Sequence, residues 1–386
     1  MMDRRRRHFN PLQLAGLLLL ALAARVTHAQ QPAAEKPTSN YWIYVGAESA
    51  DLIHRVRFGP DGAAVEKTIP VGESPVEMEG PHGLQISRDG KFLHMTTGHG
   101  SPDGKYWKFA LGPDTLVGAG IFLGYFPASI DVTPDGLYAF VVNFNLHGEM
   151  VPSSVSAIYT PTNTEVARVT TCVMPHGSRV DASGAHQYST CMMDDQLVEI
   201  DTRTFEVSRR FGLGRANAGP ITLAADDHAA HHSGPMAPAT CSPTWAQPSV
   251  DGSKVYVACN KADEIVEVDS RSWTVSRRFK TGRGPYNLGA TPDGRLLIAS
   301  LKQGGSVQVF DLASGISVLQ TKSSTGVTHG VVISPDSRYA FVSNEGVGAQ
   351  PGKVDVYDLR VLARVASVEV GQQAGGIAFW RMAPAK

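Results

Sequence analysis

The sequence has few cysteines for its length. Only four occur in 386 residues, so at most two disulfides can form. Small secreted proteins that rely on disulfides in place of a hydrophobic core carry many more. Hydrophobic residues make up 42% of the chain, which is ordinary for a globular protein that is stabilised by its own core.

The sequence also lacks an excess of charge of either sign. Its 35 lysines and arginines oppose 36 aspartates and glutamates, for a formal net charge of −1. Beyond the first seven residues the basic residues are scattered along the chain. Proteins that bind nucleic acid present a basic patch to the phosphate backbone, so we expect no nucleic-acid partner.

Long hydrophobic runs are absent as well. The apolar segment Leu12–Ala24 is shorter than the ~20 residues that a membrane span needs. It follows four arginines at positions 4–7 and precedes small residues at positions 27–29. This order predicts a signal peptide over residues 1–29, export to the periplasm or out of the cell, and no membrane span.

The export route stays open. Arg6-Arg7-His8-Phe9 fits part of a twin-arginine signal. However, any run of four arginines produces this match readily, so the motif does not choose between the two routes.

The sequence shows no helical periodicity. It contains an internal repeat instead. Each copy has a step of the Pro-x-Gly type, an apolar strand, a turn of the Pro-Asp-Gly type and a second strand rich in aromatics. Successive starts lie 42 to 48 residues apart, except for one interval of 68 that holds a His-rich insertion at about residues 215–240. The copies begin at Gly80, Phe126, Met174, Ser242, Gly284, Val327 and, in a degenerate form, Gln373.

Each repeat predicts four strands. In the fourth copy they fall at 247–250, 254–259, 264–269 and 274–279, as short runs rich in β-branched residues and bounded by Gly, Asp or Asn. Four strands in 40 to 50 residues are typical of one blade of a β-propeller. The fold class is therefore all-β, with seven blades of four antiparallel strands.

The two ends of the chain are predicted to share one blade. The seventh copy has only its first strand, over 376–380, whereas the strands over 42–47, 51–58 and 64–71 have no first strand before them. Pairing the two sets closes the ring. We expect a flexible linker over 30–40, one propeller domain over 41–381, a tail over 382–386, and a monomer.

The repeat resembles a known family. Ile-Ser-Pro-Asp-Ser-Arg-Tyr-Ala-Phe-Val-Ser-Asn at 333–344 is similar to the YVTN repeat of bacterial seven-bladed propellers. The resemblance covers most of the chain after the signal peptide and implies the fold but little chemistry. More distantly, the chain is similar to propeller-type lactonases and to the propeller domain of nitrous oxide reductase, where histidines at the hub hold copper.

Histidines are concentrated on one predicted face. Eight of the eleven that follow residue 29 fall in loops that lead into a first strand or that join the second and third strands. Imidazole is the commonest metal ligand and also transfers protons near neutral pH. The eight histidines of this face are His82, His99, His147, His176, His228, His231, His232 and His329.

The sharpest candidates are His82, His176 and His329. All three occupy the middle position of the Pro-x-Gly step, in repeats one, three and six, so they should face one another across the axis. Such a trio suits copper or zinc with open coordination positions. Alternatively, the three histidines bind no metal and are present only because histidine suits this turn beside a water-filled channel.

Other residues of that face are weaker candidates. Tyr286 occupies the same position in the fifth repeat, and Glu48 and Glu345 each follow a second strand, where either could act as a general base. His99 and His147 are further candidate ligands. His228, His231 and His232 lie in the insertion, which could cover the hub.

The four cysteines fall at matching positions in two adjacent repeats. Cys172 with Cys191, and Cys241 with Cys259, suit one disulfide within each blade of an exported protein. Alternatively the thiolates form a soft copper site with the methionines at positions 174, 192, 193 and 236.

Three functions compete. The first is an exported propeller that binds copper or zinc at the hub face, with or without metal-dependent catalysis. The second is a lactonase-like hydrolase or lyase that uses a hub histidine as acid or base, with Tyr286 orienting the substrate; no nucleophile elbow is visible for it. The third is a non-catalytic propeller that grips a small molecule or a protein.

Overall fold

A computed structural model describes residues 34–74, 76–99, 103–222 and 238–385. The predicted signal peptide and the histidines at positions 228, 231 and 232 lie outside these residues. None of the helices in the described part combines the length and the apolar character needed to cross a membrane.

Strands account for nearly all regular structure in the described residues. Short 3-10 helices occur at Glu48–Ala50 and Asn260–Ala262. The strands in chain order are β1 (Ser39–Ala47), β2 (Leu52–Gly59), β3 (Gly62–Pro70), β4 (Pro81–Ile86), β5 (Phe92–Thr97), β6 (Asp103–Ala110), β7 (Thr115–Leu116), β8 (Ile121–Tyr125), β9 (Pro127–Val132), β10 (Tyr138–Asn143), β11 (Pro152–Tyr159), β12 (Thr164–Val173), β13 (Pro175–Val180), β14 (His186–Cys191), β15 (Gln196–Asp201), β16 (Glu206–Gly212), β17 (Gly219–Ile221), β18 (Pro243–Pro248), β19 (Lys254–Cys259), β20 (Glu264–Asp269), β21 (Thr274–Lys280), β22 (Pro285–Ala290), β23 (Leu296–Leu301), β24 (Ser306–Asp311), β25 (Ser317–Lys322), β26 (Val327–Ile333), β27 (Tyr339–Glu345), β28 (Lys353–Asp358), β29 (Ala363–Glu369) and β30 (Ala374–Pro384).

The strands form seven small antiparallel sheets, which confirms the seven-bladed propeller. We number the blades from the hub strand that opens each: blade I (β4–β8), II (β9–β12), III (β13–β17), IV (β18–β21), V (β22–β25), VI (β26–β29) and VII (β30 with β1–β3). In each blade the first strand lies at the hub and the last at the rim. Blade III carries a fifth strand, β17, at its outer edge, whereas in blade I both β7 and β8 pair with the third strand, β6.

Blade VII joins the two ends of the described chain, as predicted. Its sheet has the order β3-β2-β1-β30, with Tyr44 opposite Ala378 in the antiparallel β1–β30 pair. The ladder runs from Ala47 opposite Ala374 to Ser39 opposite Pro384. The strands therefore extend two residues into the predicted linker and three into the predicted tail, because each new backbone pair satisfies further N–H and C=O groups.

The first strand of each blade begins earlier than predicted. In blade IV, β18 starts at Pro243, whereas the sequence predicts a first strand over 247–250. The Pro-x-Gly step is therefore part of the strand and not a turn before it. The residue before the proline makes the turn instead: Phe126, Met174 and Ser242 all have positive φ. This shift places the middle residue of the step inside the hub.

The core consists of layers between neighbouring blades. Between blades VI and VII, for example, Tyr41 and Phe58 pack against Tyr339 and Phe341, with ring centroids 5.0 to 6.3 Å apart. The alternating pattern of each strand supplies one apolar face to each neighbouring layer. The ring is thus held by contacts from blade to blade, which leaves the hub free for polar residues.

Both cysteine pairs form disulfides in the structure. The Cα separations are 5.8 Å for Cys172–Cys191 and 4.5 Å for Cys241–Cys259. The first bond corrects one prediction: Cys172 lies on β12 of blade II and Cys191 on β14 of blade III, so it joins two blades because β12 runs on into the hub connector. No cysteine among the described residues is free, so the soft thiolate site is wrong.

Candidate functional site

Three histidines meet at the centre of the ring, as their repeat positions predict. His82, His176 and His329 follow the first residue or two of β4, β13 and β26, and all three are buried. The ring centroid of His82 lies 5.8 Å from that of His329 and 6.5 Å from that of His176. The three imidazoles therefore form one polar cluster on the propeller axis.

The backbone of the next blade orients two of these rings. The Nδ1 of His82 donates to the carbonyl oxygen of Ala128 at 2.6 Å, and the Nδ1 of His176 donates to that of Thr244 at 2.8 Å. With the proton on Nδ1, each Nε2 carries a lone pair. Metal-binding histidines are commonly oriented by such a bond from the other ring nitrogen.

Glu48 completes the cluster from blade VII. It begins the 3-10 helix after β1 and is only 2% exposed. Blade VII has a glycine, Gly375, where other blades present a side chain to the hub, and a Cβ at Gly375 would overlap the Glu48 carboxylate. The carboxylate therefore occupies the place of a hub side chain.

A shell of hydrogen bonds fixes the Glu48 carboxylate. Its Oε2 accepts from His99 Nε2 at 2.7 Å and from Gln373 Nε2 at 3.1 Å. Its Oε1 lies 3.8 Å from His82 Nε2, which is too long for a hydrogen bond. Oε2 thus accepts two hydrogen bonds, whereas Oε1 faces the hub histidines.

Glu48, His82 and His329 are spaced to hold a metal ion. One ligand atom from each lies within 4.8 Å of the other two. Tetrahedral zinc with ligands at about 2.0–2.1 Å has edges of about 3.4 Å. The edge between Glu48 and His82 is 3.8 Å and the other two are at most 4.8 Å, so the side chains would move inward by up to about 1 Å to hold an ion.

His176 has a different partner from the other two histidines. Its Nε2 is 2.8 Å from the hydroxyl of Tyr286, which donates because Nδ1 already holds the ring proton. Burial lowers the pKa of His176 to about 3 and raises the pKa of Tyr286 to about 12. The pair is therefore a neutral phenol and a neutral imidazole, outside the three-residue cluster.

Lys302 is a member of the site that the sequence analysis missed. It follows β23, the second strand of blade V, just as Glu48 follows β1 of blade VII, so alignment of these positions would have found it. Its Nζ lies 2.9 Å from Glu345 Oε1 and 4.5 Å from the centre of the Tyr286 ring. Burial alone would lower the pKa of Lys302, but Tyr286 and Glu345 raise it overall.

The charges at the hub favour a cation. Burial lowers the pKa of His82 and holds that of His329 well below its ordinary value, so both rings are neutral near pH 7. Burial would raise the pKa of Glu48, but electrostatic interactions with His82, His99 and Lys302 and the hydrogen bond from His99 lower it overall. Glu48 and Glu345 thus bring two carboxyl groups to the hub beside the amino group of Lys302.

The other predicted residues lie around this centre or outside it. Glu345 Oε1 lies 3.8 Å from His329 Nε2 but is paired with Lys302. His99 hydrogen-bonds to Glu48. His147 instead packs against Phe126, with ring centroids 5.6 Å apart. His147 therefore does not reach the cluster, because the phenyl ring stands between them.

His54 corrects another prediction. The repeat places it, like His186, away from the histidine-rich face. In the structure its Nε2 accepts from the backbone N–H of Gly371 at 3.0 Å, in the connector that leads to the hub strand of blade VII. His54 thus lies under the outer part of that face, while His186 pairs with Asp181, which begins the turn that ends at Gly184.

His94 is a buried histidine with no place in the hub site. It lies on β5, is 1% exposed and contacts the Tyr106 hydroxyl at 2.7 Å. Burial and the charge of Lys108 lower its pKa to about 3. The ring is therefore neutral when folded but charged below about pH 6.5 when unfolded.

This difference predicts an acid-sensitive contribution to stability. Between about pH 6.5 and pH 3 the unfolded chain binds the extra proton, so the free energy of unfolding falls by about 2 kcal/mol from pH 7.5 to pH 5 on account of His94. His94→Gln should remove that part of the decline, as measured by urea unfolding at both pH values. Tyr106→Phe keeps the buried imidazole and should retain it. Equal pH dependence in His94→Gln and the parent would contradict the assignment.

Comparisons with known proteins show the fold alone. No protein-family model matches the chain, and no curated protein matches it. It is similar in structure to hydrazine synthase of Kuenenia stuttgartiensis, with a TM-score of 0.56 and 17% identity over 75% of this chain and 80% of that one. It is also similar to a functionally unknown protein of Desulfotomaculum acetoxidans DSM 771, with a TM-score of 0.64 and 15% identity over 88% of this chain and 98% of that one.

Proposed function

We propose that this protein is an exported β-propeller that binds one transition metal ion, zinc or copper, at the hub. The ligands are His82 through Nε2, His329 through one ring nitrogen and Glu48 through one carboxylate oxygen. The observation that carries the proposal is the spacing of these three ligand atoms within 4.8 Å. Two histidines and one carboxylate are a known ligand set for catalytic zinc, and imidazole also suits copper.

The surroundings support a bound ion over a polar cluster that merely stabilises the fold. Oε1 of Glu48 and Nε2 of His82 lie 3.8 Å apart, too far for a hydrogen bond to each other, and both residues are buried. A cation between them would bond to both, and the carboxylate of Glu48 favours it.

Export is part of the proposal. The signal peptide is predicted from residues 1–29, and the two disulfides fit a periplasmic or extracellular protein, because such bonds persist in oxidising compartments. The kinship with YVTN-repeat propellers remains an inference from the repeat itself.

Three protein ligands would leave coordination positions for water or substrate. A bound ion of this kind acidifies water and polarises carbonyl or phosphoryl oxygens. The Tyr286–His176 pair lies beside the cluster, with ring centroids of Tyr286 and His329 4.8 Å apart. It is therefore placed to donate or accept a proton during metal-dependent catalysis.

A second candidate uses the same pair without a metal. The 2.8 Å hydrogen bond between Tyr286 and His176 suits acid–base work on a lactone-like substrate. Lys302, 4.5 Å from the Tyr286 ring, would stabilise a phenolate. This candidate is favoured if the protein is active on such substrates after chelation.

The test is the metal content of the protein. The untagged chain is exported, purified, dialysed against metal-free buffer and analysed by plasma mass spectrometry. We expect about one zinc or copper ion per chain, removable by a strong chelator and restored by adding the ion. A content below about one tenth per chain, with no uptake of either added ion, would reject the metal site.

A further inference from the structure

A cavity lies on the axis beneath the hub histidines. Its upper wall includes His82, His176 and His329, and deeper residues include Arg179, Trp245 and Asn287. The space open to the centres of water-sized molecules is about 30 Å³, whereas a single water needs roughly 10–15 Å³. The cavity therefore has room for an ion of a few heavy atoms.

Three buried polar atoms of this lining have no partner among the described residues: Trp245 Nε1, Asn287 Oδ1 and His329 Nδ1. Trp245 is 7% exposed and its Nε1–H bonds to nothing; Asn287 is 5% exposed and its Oδ1 accepts nothing. A buried donor without an acceptor costs about 1–3 kcal/mol. Their joint occurrence around one cavity indicates a ligand that satisfies them.

Arg179 supplies a positive charge to the same cavity. Its guanidinium stacks on the Trp245 ring, 4.4 Å from the ring centre, and one N–H donates to the carbonyl oxygen of Ser178 at 2.9 Å. Stacking leaves the other N–H groups available, because they lie in the guanidinium plane. Within the described residues, no carboxylate pairs with Arg179.

The nearest acidic group is already engaged. Asp131 accepts from the side chain of Gln85 and from the backbone N–H groups of Val132 and Val180. It therefore offsets part of the Arg179 charge without occupying the N–H groups of the guanidinium. The donors left free around the cavity are the remaining N–H groups of Arg179 and the Nε1–H of Trp245.

We propose that this cavity binds one small planar oxyanion, of the carboxylate or nitrate type. Arg179 provides charge-assisted hydrogen bonds and Trp245 provides its Nε1–H. The Asn287 amide joins them by turning its nitrogen toward the ion. The cavity shares His82 and His329 with the proposed metal site, whereas Arg179, Trp245 and Asn287 take no part in that site.

The experiment uses the chelator-treated full mature chain, so a failure of the metal proposal does not affect it. Sodium formate and sodium nitrate are titrated by calorimetry at constant ionic strength. We expect saturable binding with one site per chain. Arg179→Met and Trp245→Phe should each weaken it at least 10-fold, and Trp245→Phe keeps the ring on which Arg179 stacks.

Arg381→Met is the matched control. Arg381 also stacks on a tryptophan, 4.6 Å from the Trp42 ring centre, but does not line the cavity. Binding should be unchanged in this variant. The proposal is overturned if neither anion binds saturably, if Arg179→Met and Trp245→Phe both bind like the parent, or if anions bind only to the metal-loaded protein and not to its His82→Ala variant.

Discussion

His82→Ala should lower the affinity for zinc or copper at least about 100-fold. Mutation of a residue that only orients a metal ligand already lowers metal affinity about 10- to 100-fold, and removal of the ligand itself should cost more. The substitution removes one of three ligands and leaves Glu48 Oε1 without the nitrogen that it faces at 3.8 Å. Affinity is measured by competition with a chromophoric chelator, on protein shown by circular dichroism to be folded.

Two further variants separate the ligands from their surroundings. His176→Ala should change the affinity by less than about 10-fold, because its Nε2 is occupied by Tyr286 and it lies outside the ligand cluster. His186→Ala, on the other side of its blade, should leave the affinity unchanged. If His82→Ala and His186→Ala hold metal equally well, the hub histidines line the channel and do not bind an ion.

Deletion of residues 374–386 should prevent stable folding. β30 provides the hub strand of blade VII and buries Ala374, Ile377 and Ala378 against its neighbours. Without it, β1 presents an unpaired edge toward the axis, and blades VI and VII lose part of their shared core. We expect aggregation, or the loss of a cooperative thermal transition by calorimetry.

A shorter deletion serves as the control. Removing only residues 385 and 386 leaves the β1–β30 ladder intact and takes away one backbone bond, from Ala385 N–H to the Thr38 carbonyl oxygen. This variant should melt like the parent. A protein that lacks residues 374–386 and still melts at the parent temperature would mean that the ring does not need this strand.

The hub site illustrates how far repeat positions carry a prediction. The shared Pro-x-Gly position was enough to place His82, His176, His329 and Tyr286 together. It treated the three histidines as equal, however, whereas the structure joins His82 and His329 to Glu48 and turns His176 to Tyr286. The difference depends on the hydrogen bonds of single side chains, which a repeat position does not specify.

Spacing along the sequence was sufficient to predict the seven blades, the shared blade at the ends and which cysteines lie close together, but it left open whether those cysteines bond. These features follow from spacing, because each repeat folds largely through contacts within itself and with the next repeat. Which polar groups face one another across the hub became evident only from the folded ring. Tyr286 and His176 are 110 residues apart, and only the closed ring brings them together. Two further features also join different blades. Gly375 has no Cβ and so leaves space for Glu48, and Arg179 stacks on Trp245. Both depend on side-chain shape and burial, which no local sequence pattern specifies.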